Sequence, residues 1–276
     1  MHTTLTTRFA PSPTGALHLG HALAALIAHD TARKARGRFL LRIEDIDTTR
    51  CRPAFVAAIE EDLAWLGLSW AGPVRHQSRH FDDYRAPLDR LRAMDLIYPC
   101  FCTRADIAQS ADAPQGPDGP LYPGFCRDLA AAEVERRQAL GMPYALRLRM
   151  DRAIARTGPL RWTDKAAGDV VARPDLFGDI VLARKDVPTS YHLAVTVDDA
   201  LQEVTLVTRG SDLFAATHVH RLLQALLDLP VPIWHHHRIL MDESGRRLAK
   251  RDKAVTLKSL RESGITPLAV RTMVEV

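Results

Sequence analysis

RFAPSPTGALHLGH, residues 8–21, decides the fold once its flanks are read with it. Leu5 to Ala10 predicts a short strand, and Pro11, Pro13 and Gly15 end it in a turn that neither sheet nor helix can continue. Residues 18–36, HLGHALAALIAHDTARKAR, put Leu19, Leu23, Leu26 and Ile27 on one face at helical spacing. They end in basic residues that suit a helix C-terminus and meet Gly37 as the expected stop. RFLLRIE, 38–44, then reads as a second strand. Strand, helix and strand in this order form a βαβ unit, whose parallel sheet opens clefts at the carboxyl ends of its strands. The loop Pro11 to Gly15 sits at such an end.

Outward from this unit, helices are predicted near 53–66, stopping at Gly67, and near 79–95, with Phe81, Tyr84, Leu88 and Leu91 on one face. The composition shifts over residues 98–126, which hold three of the four cysteines and the broken stretch APQGPDGPLYPG (113–124) and read as an insertion. A helix near 130–140 follows. YALRLRM (144–150), GDIVLAR (178–184), YHLAVTVDD (191–199) and EVTLVTRG (203–210) read as strands, and 211–229 as an amphipathic helix opened by Ser211 or Asp212. The layout is a nucleotide-binding α/β sheet interrupted by an insertion. Its boundaries are drawn at 1–97 and 186–240 for the two halves of the sheet domain, 98–185 for the insert, and 241–276 for a basic loop and short helical tail.

The 276 residues, 46% hydrophobic and 25% charged, contain no apolar run near the ~20 residues that cross a bilayer, which excludes disorder, collagen-like repeats and a membrane span. No secretory signal opens the chain and four cysteines are too few for a disulfide framework, so a cytoplasmic protein is expected. Thirty-seven Lys plus Arg against 33 Asp plus Glu leave a net charge of +4, a mild lean toward anionic partners. The densest basic stretch is RRLAKRDK, 246–253.

Three constellations carry chemistry. His18 and His21 share one helix face at the helix start, where backbone N–H groups and the dipole favour a phosphate, and Gly20 lets a flat base or ribose lie against the backbone. Lys250, in the basic stretch, is a compact cation suited to neutralising a phosphate during reaction. Cys100, Cys102 and Cys126 could bind a tetrahedral Zn²⁺ that staples the insert, with Tyr122, Asp106, Asp118 or water as fourth ligand. Cys51 stands apart from them. His235, His236 and His237 invite a metal reading, but only alternate residues of a strand share a side, so they are taken as strand and rim residues.

RFAPSPTGALHLGHA resembles the signature opening of class I aminoacyl-tRNA synthetases of the glutamyl branch, LLRIEDIDTTR (40–50) matches the same branch, and RRLAKRDK is similar to its lysine-bearing motif. Ala249 departs from that motif, which carries a hydroxyl residue there. Over nearly its whole length the chain is similar to the glutamyl-Q tRNA(Asp) synthetases, shortened paralogues that lack the anticodon-binding part. The resemblance implies a Rossmann catalytic domain with an inserted zinc-bearing subdomain, held by Cys100, Cys102, Tyr122 and Cys126. It implies ATP-binding by His18, Gly20, His21 and Lys250, with His18, His21 and Lys250 catalytic and Mg²⁺ arriving with ATP. Glutamate contacts follow at Arg8, Ala10, Ser12, Glu44, Tyr191 and Arg209. Arg8 is suited to grip a carboxylate, Glu44 to receive the ammonium, and Arg209 to select a side-chain carboxylate over an amide.

The implied reaction makes glutamyl-adenylate and passes glutamate to queuosine, the modified wobble base of tRNA(Asp), in a monomeric enzyme. Only 26 residues follow Lys250, against the roughly 200 of an anticodon-binding region. Two alternatives stand beside this reading. One is a fragment of a glutamyl-tRNA synthetase that charges an acceptor end; the other is a zinc-dependent RNA-binding module without catalysis.

Overall fold

The computed structural model of the chain describes residues 4–108, 115–241 and 255–275. The first βαβ unit forms as the sequence predicts: strand β1 (Thr6–Phe9), helix α1 (Leu19–Lys34) and strand β2 (Arg38–Ile43), with β1 and β2 parallel and Arg8 opposite Leu40. Its stop differs from the expectation. Arg36, not Gly37, takes the left-handed conformation, with φ 51°. Gly37 is needed for a different reason, since a Cβ there would lie 2.1 Å from the Leu5 carbonyl oxygen.

Helix α2 (Pro53–Trp65) begins on a proline that has no N–H to leave unpaired, and the chain leaves it through Gly67 at φ 75°. Strand β3 (Arg75–His76) pairs parallel with β2. The helix predicted at 79–95 is shorter: 3₁₀ turns occupy 77–79 and 81–84, and helix α3 covers Arg85–Ala93. Pro87 cannot donate to the carbonyl four residues back, so the α-helical ladder does not extend through 83.

Strand β4 (Ile97–Cys100), helix α4 (Arg104–Ala108), the short hairpin β5 (Gln115–Gly116) and β6 (Gly119–Pro120), helix α5 (Ala131–Ala139) and strand β7 (Ala145–Leu148) follow. Then come helix α6 (Met150–Thr157), hairpin strands β8 (Arg161–Asp164) and β9 (Gly168–Val171), and strand β10 (Val181–Ala183). β10, β7 and β4 form a separate antiparallel sheet, whereas β8 joins the main sheet beside the last strand, at Trp234 opposite Asp164.

Residues 191–199, read as a strand, are helical: α7 spans Tyr191–Leu201, capped by the Ser190 hydroxyl, which accepts from the Leu193 N–H at 3.5 Å. All residues from His192 to Asp199 are buried. A helix covered on every side has no polar face, and its Val and Thr content imitates a strand. Strand β11 (Leu206–Gly210), helix α8 (Ala216–Leu226), strand β12 (Ile233–His237) and helices α9 (Leu257–Glu262) and α10 (Pro267–Val274) complete the chain. Ser211 and Asp212 open a 3₁₀ turn, not α8 itself.

Parallel strands β11 and β12 bring the second half of the sheet against the first. Thr205 N–H donates to the Thr6 carbonyl at 3.0 Å, so β1 and β11 lie side by side. α1 packs on α10, with Leu26, Leu63 of α2 and Val270 in one core, and α7 packs on α8, with Leu193, Leu222 and Leu91 of α3 in a second. The meeting of β1 and β11 is therefore where the sheet changes direction, the place where open α/β sheets bind ligands. No helix among the described residues is long and apolar enough to cross a membrane.

Candidate active site

The start of α1 is built from its two histidines. His18 is the N-cap: its Nδ1 accepts the Gly20 N–H at 3.1 Å, while His21 Nδ1 accepts the His18 N–H at 3.2 Å. The imidazoles thus take backbone donors that the sequence reading left for a phosphate. Because each Nδ1 is an acceptor, each neutral ring carries its proton on Nε2 as a donor. The rings sit with centroids 3.9 Å apart. A Cβ on Gly20 would meet His18 Cε1 at 3.0 Å, so the glycine makes room for the capping ring as well as for any ligand.

At the strand ends lies a buried charge cluster. Arg8 Nε donates to Asp199 at 3.0 Å and Nη2 to its other oxygen at 3.4 Å, while Nη1 donates to the Thr208 carbonyl at 3.1 Å. One N–H on each Nη of Arg8 has no partner among the described residues. Arg42, fully buried, lies 2.8 Å from Asp199 and 3.4 Å from Glu44 and donates to Gln202 at 2.9 Å. Burial alone would depress its pKa, but Asp199, Glu44 and Asp198 reverse this and raise it. Burial likewise works against the Asp199 charge, yet Arg8 and Arg42 outweigh it and hold the carboxyl below its ordinary range. For Glu44 burial wins and its pKa is raised. The neighbouring Asp198 accepts from Arg75 and Gln77, each at 2.8 Å, and from the Tyr84 hydroxyl at 2.9 Å.

Arg209, on β11, is different. Its Nε donates to His236 at 3.1 Å, its Nη1 to His220 at 3.3 Å and to the Tyr191 hydroxyl at 3.4 Å, and its Nη2 to the Thr217 hydroxyl. None of these partners is a carboxylate. Among the described residues, no carboxylate forms an ion pair with this guanidinium, although the residue is only 5% exposed. Burial lowers its pKa against the opposing pull of Tyr191 and Asp199, with the nearby Arg8 charge adding to the effect of burial.

Arg8, Ala10, Ser12, His18, Gly20, His21, Glu44, Tyr191 and Arg209 all line one cavity of about 410 Å³. A second cavity of about 600 Å³ adjoins it through Ser12, Glu44 and Tyr191 and runs toward Asp47, Asp118 and Arg184. Lys250 and Ala249 lie outside the described residues. Both flanks of their segment border the site: Leu240 lines the smaller cavity, and Thr256 bridges to His18.

Over residues 4–275 the chain matches a family of class I tRNA synthetases (E and Q), catalytic domain. The chain belongs to this family. It is 51% identical to the glutamyl-Q tRNA(Asp) synthetase of Rhodobacter capsulatus over 97% of this chain and 99% of that protein. It is 45% identical to the glutamyl-Q tRNA(Asp) synthetase of Symbiobacterium thermophilum, covering 95% and 83%. A crystal structure of a glutamate tRNA ligase from Elizabethkingia meningosepticum in complex with its amino acid aligns with TM-score 0.76 and 29% identity over 90% of this chain and 52% of that one. The chain thus spans about half the length of that ligase, and the α/β catalytic fold is that of a class I synthetase.

Beside the larger cavity, which Tyr122 lines, this class I synthetase chain gathers three thiols. The sulfurs of Cys100, Cys102 and Cys126 lie within 4.8 Å of one another. Cys102 and Cys126 are 3.5 Å apart, and the Tyr122 hydroxyl is 3.5 Å from Cys102 and accepts the Cys126 N–H at 2.8 Å. A tetrahedral ion with ~2.3 Å bonds to sulfur spaces its sulfurs by about 3.8 Å, so the cluster fits a metal. The carboxylates weighed as fourth ligand are engaged elsewhere: Asp106 accepts from the Thr103 N–H at 2.6 Å and Asp118 from His192 at 3.1 Å. Cys51 is not in the cluster and lines the larger cavity.

Sequence reading missed Asp198 and Asp199, which lay in the misread strand, and His220. His236 lies on a strand as expected, but its role there was not foreseen: the side chain is buried between Arg209 and Asp164, which it meets at 2.8 Å. Alternation along β12 held the clue, since it sends His236 to the opposite side from His235 and His237.

Proposed function

We propose that the chain activates L-glutamate with ATP and transfers the glutamyl group to queuosine at the wobble position of tRNA(Asp). The observation that carries this reading is the single cavity lined both by Arg8, Glu44, Tyr191 and Arg209 and by the histidine-capped start of α1. The acceptor is supported by 51% identity, over nearly the whole of both chains, with a protein named for that activity.

In this reading Arg8 offers its terminal N–H pair to the α-carboxylate, Glu44 accepts from the ammonium, Arg209 and Tyr191 meet the side-chain carboxylate, and Ala10 and Ser12 complete the pocket. An α-carboxylate oxygen bonds to the α-phosphorus of ATP as the bond to the bridging oxygen breaks, and pyrophosphate leaves with the electron pair. Phosphoryl displacement asks the protein mainly for positioning and charge stabilisation, which suits a site with donors and no nucleophile. His18 and His21 direct their Nε2 donors toward phosphate, Gly20 admits the nucleotide, and Lys250 meets the departing charge. A queuosine hydroxyl then attacks the acyl carbon, loses its proton, and AMP leaves. Mg²⁺ bound with ATP supplies charge neutralisation at the phosphates.

Zn²⁺ is assigned to Cys100, Cys102, Cys126 and Tyr122 as a structural ion that ties the end of β4 to the loop 121–126. The substrates assign the activity to the cytoplasm. Glutamate-dependent ATP–pyrophosphate exchange without RNA, followed by transfer of labelled glutamate to tRNA(Asp) with and without queuosine, tests the whole. Exchange with queuosine-dependent transfer is expected. Absence of exchange under all conditions overturns the proposal, and charging of a tRNA 3′ end would replace it by a glutamyl-tRNA synthetase activity.

A further inference from the structure

Arg209 is a guanidinium held in a buried site by neutral groups. Four of its five N–H groups are taken: one at Nε, two at Nη1 and one at Nη2. An arginine only donates, so the direction of every bond beyond it is fixed. His220 accepts at Nδ1, so its proton is on Nε2, 3.2 Å from His192 Nδ1; the His192 proton is then on Nε2, 3.1 Å from an Asp118 oxygen. On the other side, His236 accepts at Nε2 and donates from Nδ1 to Asp164 at 2.8 Å. Asp164 is itself fixed by the N–H groups of Ala166 at 2.8 Å, Ala167 at 2.9 Å and His236 at 3.0 Å. The carboxylates that end these two hydrogen-bond relays, Asp118 and Asp164, are thus kept two and one imidazoles away from the guanidinium, and Asp199 acts on it through space without a hydrogen bond. The nearer cations of the cleft are matched directly, Arg8 and Arg42 by Asp199.

We propose that His220 and His236 are specificity-determining positioning residues: they orient Arg209 by lone pairs alone, leaving it without an ion-pair partner, so that the pocket accepts a side-chain carboxylate and rejects the carboxamide of the same shape. The inference rests on the reading that Arg209 meets the substrate side chain, and it adds why that arginine discriminates. A carboxylate in place of either imidazole would orient Arg209 equally well but would neutralise it, and the selective charge would be lost. Burial and the Arg209 charge both work to keep His220 neutral, well below the usual imidazole range. Burial, with Arg209, also pushes His236 down to about 4 despite Asp164.

The test compares isosteric pairs by pyrophosphate exchange: His220→Asn against His220→Asp, and His236→Gln against His236→Glu. The amide variants keep an acceptor for Arg209 and should hold the KM for glutamate within about threefold of wild type. The acidic variants should raise it by about 10- to 100-fold, the value of a charge-assisted hydrogen bond, and erode discrimination against glutamine, with the KM for ATP unchanged. Equal behaviour of amide and acid at both positions overturns the proposal. Arg209→Gln serves as the separate control: if it leaves glutamate KM unaltered, the reading of Arg209 itself fails, whatever the histidine variants do. Should the acidic variants not fold, ¹⁵N spectra of the wild-type protein decide. Neutral His220 with its proton on Nε2 and neutral His236 with its proton on Nδ1 are expected, and an imidazolium at either site refutes the idea.

Discussion

Asp199→Asn is the most direct probe of the buried cluster. The residue is 7% exposed, and its carboxylate meets Arg8 at 3.0 Å and Arg42 at 2.8 Å, with Arg42 fully buried. The amide has the same shape but no charge, and its NH₂ would point a donor at one of two guanidiniums that can only donate. Removing one partner of a buried pair leaves an uncompensated charge in a site largely shielded from solvent, at a cost of about 3–5 kcal/mol. For a chain of this size that is a fall in Tm on the order of 10 °C. A useful reference is Asp228→Asn, which breaks an ion pair with Arg90 at 2.7 Å whose side chains are 84% and 47% exposed. Solvent screens that pair, so a loss below ~1 kcal/mol is expected. Thermal unfolding of both variants, with pyrophosphate exchange on each, supplies the comparison. Asp199→Asn should also raise the KM for glutamate more than that for ATP, because Arg8 loses the anchor that fixes its free N–H pair. If the two variants lose the same stability, the buried carboxylate does not hold the guanidiniums and the account of the cleft is wrong.

Asp62, 1% exposed in α2 with neither oxygen hydrogen-bonded, is pushed up to about 6 by burial against the pull of Arg261. The folded chain therefore binds this proton more tightly than the unfolded one, so stability falls as pH rises from about 4 to 6 and a penalty of about 3 kcal/mol persists above; Asp62→Asn should remove that slope in urea titrations and stabilise the chain at pH 7. Gly20→Ala should leave Tm unchanged or slightly raised, since alanine favours helix, yet slow pyrophosphate exchange on the order of tenfold because the added Cβ presses the His18 ring. Purified protein should hold one zinc per chain by atomic absorption, and Cys126→Ser should release it and lower Tm; full metal content in that variant would remove Cys126 from the cluster.

The parts of the site legible in the sequence are those coded locally. The turn, the helix start and the strand ends around Arg8, His18 and Glu44 are consecutive, and each residue type reports its own constraint. What escaped was coded over distance: Asp199 meets Arg8 across 191 positions, and no periodicity announces such a pair. The buried helix α7 hid itself because a helix without a polar face loses the 3.6-residue signal, while Ser190 at its cap was one hydroxyl among many. His218 and His220 carry no signal of their own within the amphipathic pattern of α8, yet both are buried. Histidine serves equally as surface residue or as hydrogen-bonding core, and only its partners tell the two apart.

The placement of α7 explains why the cluster is ionic at all. Adjacent residues on a helix point about 100° apart. Asp199 therefore reaches Arg8 on β1 and Arg42 on β2, while Asp198 reaches Arg75 on β3 with Gln77 and Tyr84 behind it. The helix that begins at Tyr191 in the cavity thus ends by holding basic residues from all three strands of the first half of the sheet. Well-packed apolar residues could replace such buried pairs without loss of stability and often with a gain. What they could not supply is orientation. Asp199 takes the Nε side of Arg8 and Thr208 one terminal N–H, which fixes the plane of the guanidinium and leaves its end for a ligand. The ion cluster is best understood as a device that aims Arg8 from behind, as the imidazoles aim Arg209. The difference lies in charge: Arg8 is met by a carboxylate of its own chain, which suits its proposed role toward a substrate group common to all amino acids, whereas Arg209 has no carboxylate partner among the described residues, which suits its proposed role toward the one group that distinguishes an acidic side chain from its amide.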